Sequence, residues 1–60
     1  MHMKVKDLVH LKTDRPGQEL VGRVVAVNPR DRRVTVMWDG VVLTDEKSED
    51  LMLWDPAHQN

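Results

Sequence analysis

The segment Arg33 to Asp39 constrains the chain most. It alternates apolar and polar residues without a break: Val34, Val36 and Trp38 fall on one face, Thr35, Met37 and Asp39 on the other. A period of two is the signature of a half-buried β-strand. Asp39-Gly40 follows directly, and this dipeptide between two apolar segments predicts a hairpin, because both positions of a tight type I′ turn need positive φ. One strand with one hairpin is therefore fixed near the middle of the chain.

The rest of the sequence repeats that pattern at short intervals. Val is the dominant aliphatic residue, with ten copies, and β-branched side chains favour strands. No window keeps apolar residues at i, i+3, i+4 and i+7, so no long helix is expected. A first strand is predicted over Asp7–Lys12, with Val9 and Leu11 inward and His10 and Lys12 outward. Thr13 to Gly17 forms a turn, in which Pro16 sets φ and Gly17 accepts a positive value. A second strand runs over Leu20–Asn28, and Gly22 within it is expected to mark a bulge or bend. Asn28-Pro29-Arg30-Asp31 makes the next turn, since Pro29 cannot donate to a ladder. A fourth strand is expected over Val41–Thr44 and a charged connection with a short 3₁₀ turn near Ser48 over Asp45–Asp50. A closing strand over Leu51–Trp54 then ends before Pro56. The expected core is Val5, Val9, Leu11, Leu20, Val24, Val27, Val34, Val36, Trp38, Leu43, Leu51 and Leu53.

Sixty residues make one domain near the lower size limit for autonomous folding. There is no Cys, so no disulfide or thiolate zinc site supports the core, and a cytosolic-type compartment is expected. The first residues carry no apolar stretch, so no secretory signal is read there. Met1, His2 and Met3 are set aside as a remnant of cloning; residues 1–4 and 55–60 are expected to be flexible tails around a domain spanning 5–54. No apolar run exceeds four residues, as in Val24 to Val27, far short of the roughly 20 residues of a membrane helix.

Val5-Lys6-Asp7-Leu8-Val9-His10-Leu11 resembles the opening strand of many SH3-like barrels, where a Gly-Asp pair precedes the alternating strand; Lys6 stands where that superfamily often has Gly. Gly22-Arg23-Val24-Val25-Ala26-Val27 followed by Val34-Thr35-Val36-Met37-Trp38-Asp39-Gly40 resembles the middle hairpin of the KOW and Tudor-like domains, the Mib/Herc2 domain and the photosystem I subunit IV barrel. Ser48-Glu49-Asp50-Leu51 resembles the turn and strand that close such barrels. The resemblance covers roughly Val5 to Trp54. It implies an all-β fold, a five-stranded SH3-like barrel with a short 3₁₀ turn before the last strand, and a binding scaffold without catalytic activity.

Function is narrowed mainly by what the chain lacks. Its histidines are His2, His10 and His58, two of them near the termini, so a metal site on His10 with His58 is outweighed by solvated side chains. Asp45, Glu46, Glu49 and Asp50 lack the alternation and central Gly of a calcium loop. No cofactor and no catalytic residue is expected. With no Phe and no Tyr, Trp38 and Trp54 alone do not build the aromatic groove of proline-rich peptide recognition or the cage of methyl-lysine recognition.

Two binding surfaces remain. Trp54 and Met52, with Met37 and Val42, are read as an apolar patch for a protein partner or a second copy of the chain; in the other reading Trp54 folds over the barrel end as a lid. The alternative function is nucleic-acid binding through Arg23, Arg30, Arg32 and Arg33. Net charge is +4 through Arg33 and −5 from Val34 onward, a dipole rather than the basic excess of a typical nucleic-acid binder. Neither a membrane nor a small-molecule substrate is expected.

Overall fold

The structure is a computed structural model that describes residues 3–56. It is all-β: strands β1 (Leu8–Leu11), β2 (Gly22–Asn28), β3 (Arg33–Trp38), β4 (Val42–Lys47) and β5 (Leu51–Leu53), with a 3₁₀ turn at Ser48–Asp50 between β4 and β5. All pairings are antiparallel, in one sheet of order β4-β3-β2-β1-β5. His2 and His58 lie outside the described residues.

The sheet curls round a small core of Val9, Val24, Val34, Val36, Trp38 and Leu51, with Met3 and Leu11 packed against it. Met3, set aside in the sequence, thus contributes to packing. Val34, Val36 and Trp38 are all buried and alternate with half-buried neighbours, as the period of two requires. Near the 3₁₀ turn the strands are stitched together by backbone hydrogen bonds. Ser48 N–H donates to the Arg32 carbonyl at 2.9 Å, and Lys12 N–H donates to the Asp50 carbonyl at 3.0 Å.

Five expected core residues are exposed instead: Val5, Leu20, Val27, Leu43 and Leu53. Leu43 has a register cause. A two-residue turn would pair Trp38 with Val41; in the structure Trp38 pairs with Val42 and Met37 with Leu43. Val41 is left in the turn, 79% exposed. That one-residue slip moves every β4 side chain to the opposite face. Thr44 and Glu46 therefore point inward, opposite Val36 and Val34, and Leu43 points outward, 57% exposed. The strand also runs on through Asp45, Glu46 and Lys47, which the sequence assigns to the charged connection.

Val5 sits in a turn ahead of β1, where Asp7 N–H donates to the Lys4 carbonyl, and Leu20 precedes β2, held by its N–H to the Asp14 carboxylate. Val27 and Leu53 do face inward, opposite Val34 and Val9, but both stay partly open to solvent. The irregularity expected at Gly22 is elsewhere. Gly22 pairs in register with Trp38, and the β-bulge falls between Val24 and Ala26.

Trp38 also anchors the polar side of the core. Its indole Nε1–H donates to Thr44 Oγ1 at 2.6 Å, and the Thr44 hydroxyl donates to Glu46 Oε2 at 2.7 Å. The inward polar residues of β4 are in this way satisfied, and no buried side-chain nitrogen or oxygen among the described residues lacks a partner.

Candidate binding surfaces

The antiparallel registers place one residue from each of four strands in a single row on the outer face. Leu8 (β1) pairs with Arg23 (β2), Arg23 with Met37 (β3), and Met37 with Leu43 (β4). On the other side, Trp54 N–H donates to the Leu8 carbonyl at 2.8 Å, which continues the row just past β5. With strands about 4.8 Å apart, the row Trp54–Leu8–Arg23–Met37–Leu43 runs roughly 19 Å across the barrel. Four of its members are large apolar residues. Arg23 at the centre is exposed, and its side chain has no hydrogen bond or ion pair among the described residues.

Of the residues singled out as an apolar patch, Trp54 and Met37 belong to this row, both half-buried. Met52 lies on the same face one pair along, opposite His10. Val42 does not join them; it lies opposite Trp38 on the inner face at the sheet edge. Leu43, assigned to the core in the sequence, takes its place. Leu8 and Arg23 enter the row only through pairing between strands, which no local pattern reveals.

The four arginines are divided. Arg30 and Arg32 lie in the β2–β3 turn and Arg33 opens β3, whereas Arg23 stands five residues from the turn-proximal end of β2, roughly 16 Å away. Arg33 Nη1 approaches Asp45 Oδ2 at 3.6 Å, an exposed pair of small energetic value. The acidic cluster is divided too: Asp45 is on the outer face, and Glu46 is on the inner face accepting the Thr44 hydroxyl. No group of three metal-ligating side chains occurs among the described residues. His10 Nδ1 lies 2.8 Å from the Leu11 carbonyl and 4.0 Å from Asp14 Oδ2, so its ring is held by its own loop.

A second surface lies where the β2–β3 turn meets the 3₁₀ turn. Two adjoining hollows of about 620 and 560 Å³ share Met3, Arg32, Arg33 and Ser48. Val27 lines one and Leu53 the other, which accounts for the exposure of these two inward-facing residues. Lys12 and Lys47 flank the larger hollow, with Asp31 and Glu49 also on its wall.

No family model, curated protein or solved structure matches the chain. Among the described residues, no helix is long and apolar enough to cross a membrane.

Proposed function

We propose that the chain is a non-catalytic protein-interaction module of the SH3-like barrel superfamily, acting in a cytosolic-type compartment. The observation that carries this reading is the outer-face row, in which four apolar residues flank an unpaired Arg23 side chain. Interface cores are enriched in Trp, Met and Arg, and the row contains all three. A second copy of the chain is a poor occupant, because a two-fold interface centred on the row sets Arg23 against Arg23 and buries like charges together. The partner is therefore a different protein, one that brings a carboxylate to the middle of an apolar contact. The two indoles lie on opposite faces of the sheet, so recognition by a paired aromatic groove is not part of this proposal.

Affinity capture from native cells tests the reading. The wild-type chain retains a specific protein, and the Met37→Asp, Leu43→Asp double variant, with unchanged circular dichroism, loses it. Equal retention by both contradicts the proposal.

A nucleic-acid reading of KOW type draws on Arg30, Arg32 and Arg33 around one turn. It lacks Arg23, and neither Trp lines the hollows beside that turn to serve as a stacking platform. Retention of single- or double-stranded nucleic acid at about 50 mM salt, where electrostatic binding is strongest, favours it over the protein reading.

A further inference from the structure

The end of the barrel between the β2–β3 turn and the 3₁₀ turn combines two features that are separable in cause. The first is apolar surface on the wrong side of the sheet. Val27 and Leu53 point inward, as core residues do, yet remain 39% and 40% exposed because the hollows open over them. Met3 covers the gap only in part, lying between the two hollows and packing on the core.

The second feature is charge. Lys12, Arg32 and Lys47 reach this end from three different elements, and none has an ion-pair partner among the described residues. Their backbones are well tied. The Arg32 carbonyl accepts both Ser48 N–H and Ser48 Oγ–H, at 2.9 and 3.1 Å, and Lys12 N–H is bonded to Asp50. Asp31 and Glu49 offset part of this charge, and with Arg33 included the wall of the larger hollow still carries four cationic groups against two anionic ones. A chain of net charge −1 thus places a local positive surplus where its interior is open.

We infer that this open end is a second docking cleft, for an extended acidic segment of a partner protein that presents aliphatic side chains between carboxylates. The proposal goes beyond the outer-face row, and rests on the protein-interaction reading only for the class of partner. Aliphatic side chains bury Val27, Leu53 and the exposed part of Met3, and the carboxylates pair with Lys12, Arg32 and Lys47. An extended chain fits the shape, because its alternate side chains point to opposite sides and two adjoining shallow hollows receive successive contacts from one side. A small ligand needs a cavity that encloses most of its surface, which these open hollows do not provide.

The test uses isotope-labelled protein titrated with an N-acetylated, C-amidated heptapeptide Glu-Ser-Leu-Ser-Leu-Ser-Glu, which when extended presents two leucines between two glutamates on one face. Saturable amide shifts are expected at Met3, Val27, Arg32, Lys47 and Leu53. The Arg32→Glu, Lys47→Glu double variant binds at least tenfold more weakly, and so does wild-type protein with a probe whose Glu residues are replaced by Gln. The Met37→Asp, Leu43→Asp variant binds the probe normally, which separates this cleft from the outer row. The inference is overturned by the absence of saturable shifts, by shifts confined to the outer row, or by equal affinity of the charge-reversed variant and the wild type. Binding of octanoate or of oligothymidylate at this end without binding of the peptide overturns it as well, in favour of a small amphiphile or a nucleic acid.

Discussion

Gly22 stands directly opposite Trp38 in the β2–β3 ladder, and the indole ring occupies the space a side chain at position 22 would need. A Cβ built on Gly22 comes within 2.6 Å of Trp38 Cε3 and closer still to Val36 Cγ1, both in the core. The glycine therefore exists for close approach of an aromatic ring, and the bend of β2 arises separately at the Val24–Ala26 bulge. Gly22→Ala is expected to lower stability by about 1–3 kcal/mol, the usual cost of overpacking a tight core. A fall in the urea midpoint at unchanged slope checks this; an unchanged midpoint contradicts it.

Lys6 adopts φ +83° at the third position of a turn in which Asp7 N–H bonds the Lys4 carbonyl at 3.1 Å. Positive φ there is the mark of a type II turn, which favours Gly. The chain thus holds, with a lysine, a backbone conformation that favours glycine. The turn is held by Lys4 N–H to Asp7 Oδ2 at 2.9 Å and by Lys6 N–H to the Val24 carbonyl at 2.8 Å. Lys6→Gly is expected to raise stability by about 0.5–1 kcal/mol, the left-handed strain relieved less the entropy of a freer unfolded chain. Lys6→Val lowers it, because β-branched residues tolerate positive φ least. Thermal melts of the two variants must move in opposite directions.

The hydrogen-bonded series from the Trp38 indole through Thr44 to Glu46 predicts a third result. Thr44→Val leaves the indole N–H of a residue only 7% exposed without its acceptor, at a cost of about 1–3 kcal/mol. Thr44→Ser keeps the hydroxyl and recovers most of the loss. If valine and serine variants unfold at the same denaturant concentration, the indole bond contributes nothing.

Much of the fold is legible from short-range signals because turn residues act locally. Pro16-Gly17 gives the expected turn, with Gly17 at φ +83° and Gln18 N–H bonded to the Arg15 carbonyl. Asp39 and Gly40 both take positive φ, +52° and +74°, as a type I′ turn demands. The 3₁₀ turn falls at Ser48–Asp50. What local pattern misses is register. The single extra residue Val41 reverses the faces of β4, sending Leu43 out and Thr44 and Glu46 in. The outer row is hidden for the same reason: Leu8, Arg23, Met37 and Leu43 become neighbours only once four strands are aligned.

That account of Val41 has its own test. Deleting Val41 leaves Asp39-Gly40 as a two-residue type I′ turn with Trp38 still paired to Val42, so the β3–β4 registry is retained and stability changes little. Nuclear Overhauser contacts between Met37 and Leu43 across the strands must persist in the deletion variant. Their replacement by contacts between Val36 and Leu43 contradicts the register argument.

The outer-face row is the central claim, and site-specific photo-crosslinking in native cells tests it most directly. A photoreactive residue at position 43 is expected to give one discrete adduct with another protein. The adduct disappears when Arg23→Glu is added, and a photoreactive residue at exposed Thr13, away from the row, does not give it. An adduct from position 13 but none from 43, or one at 43 that is indifferent to charge reversal at Arg23, contradicts the account.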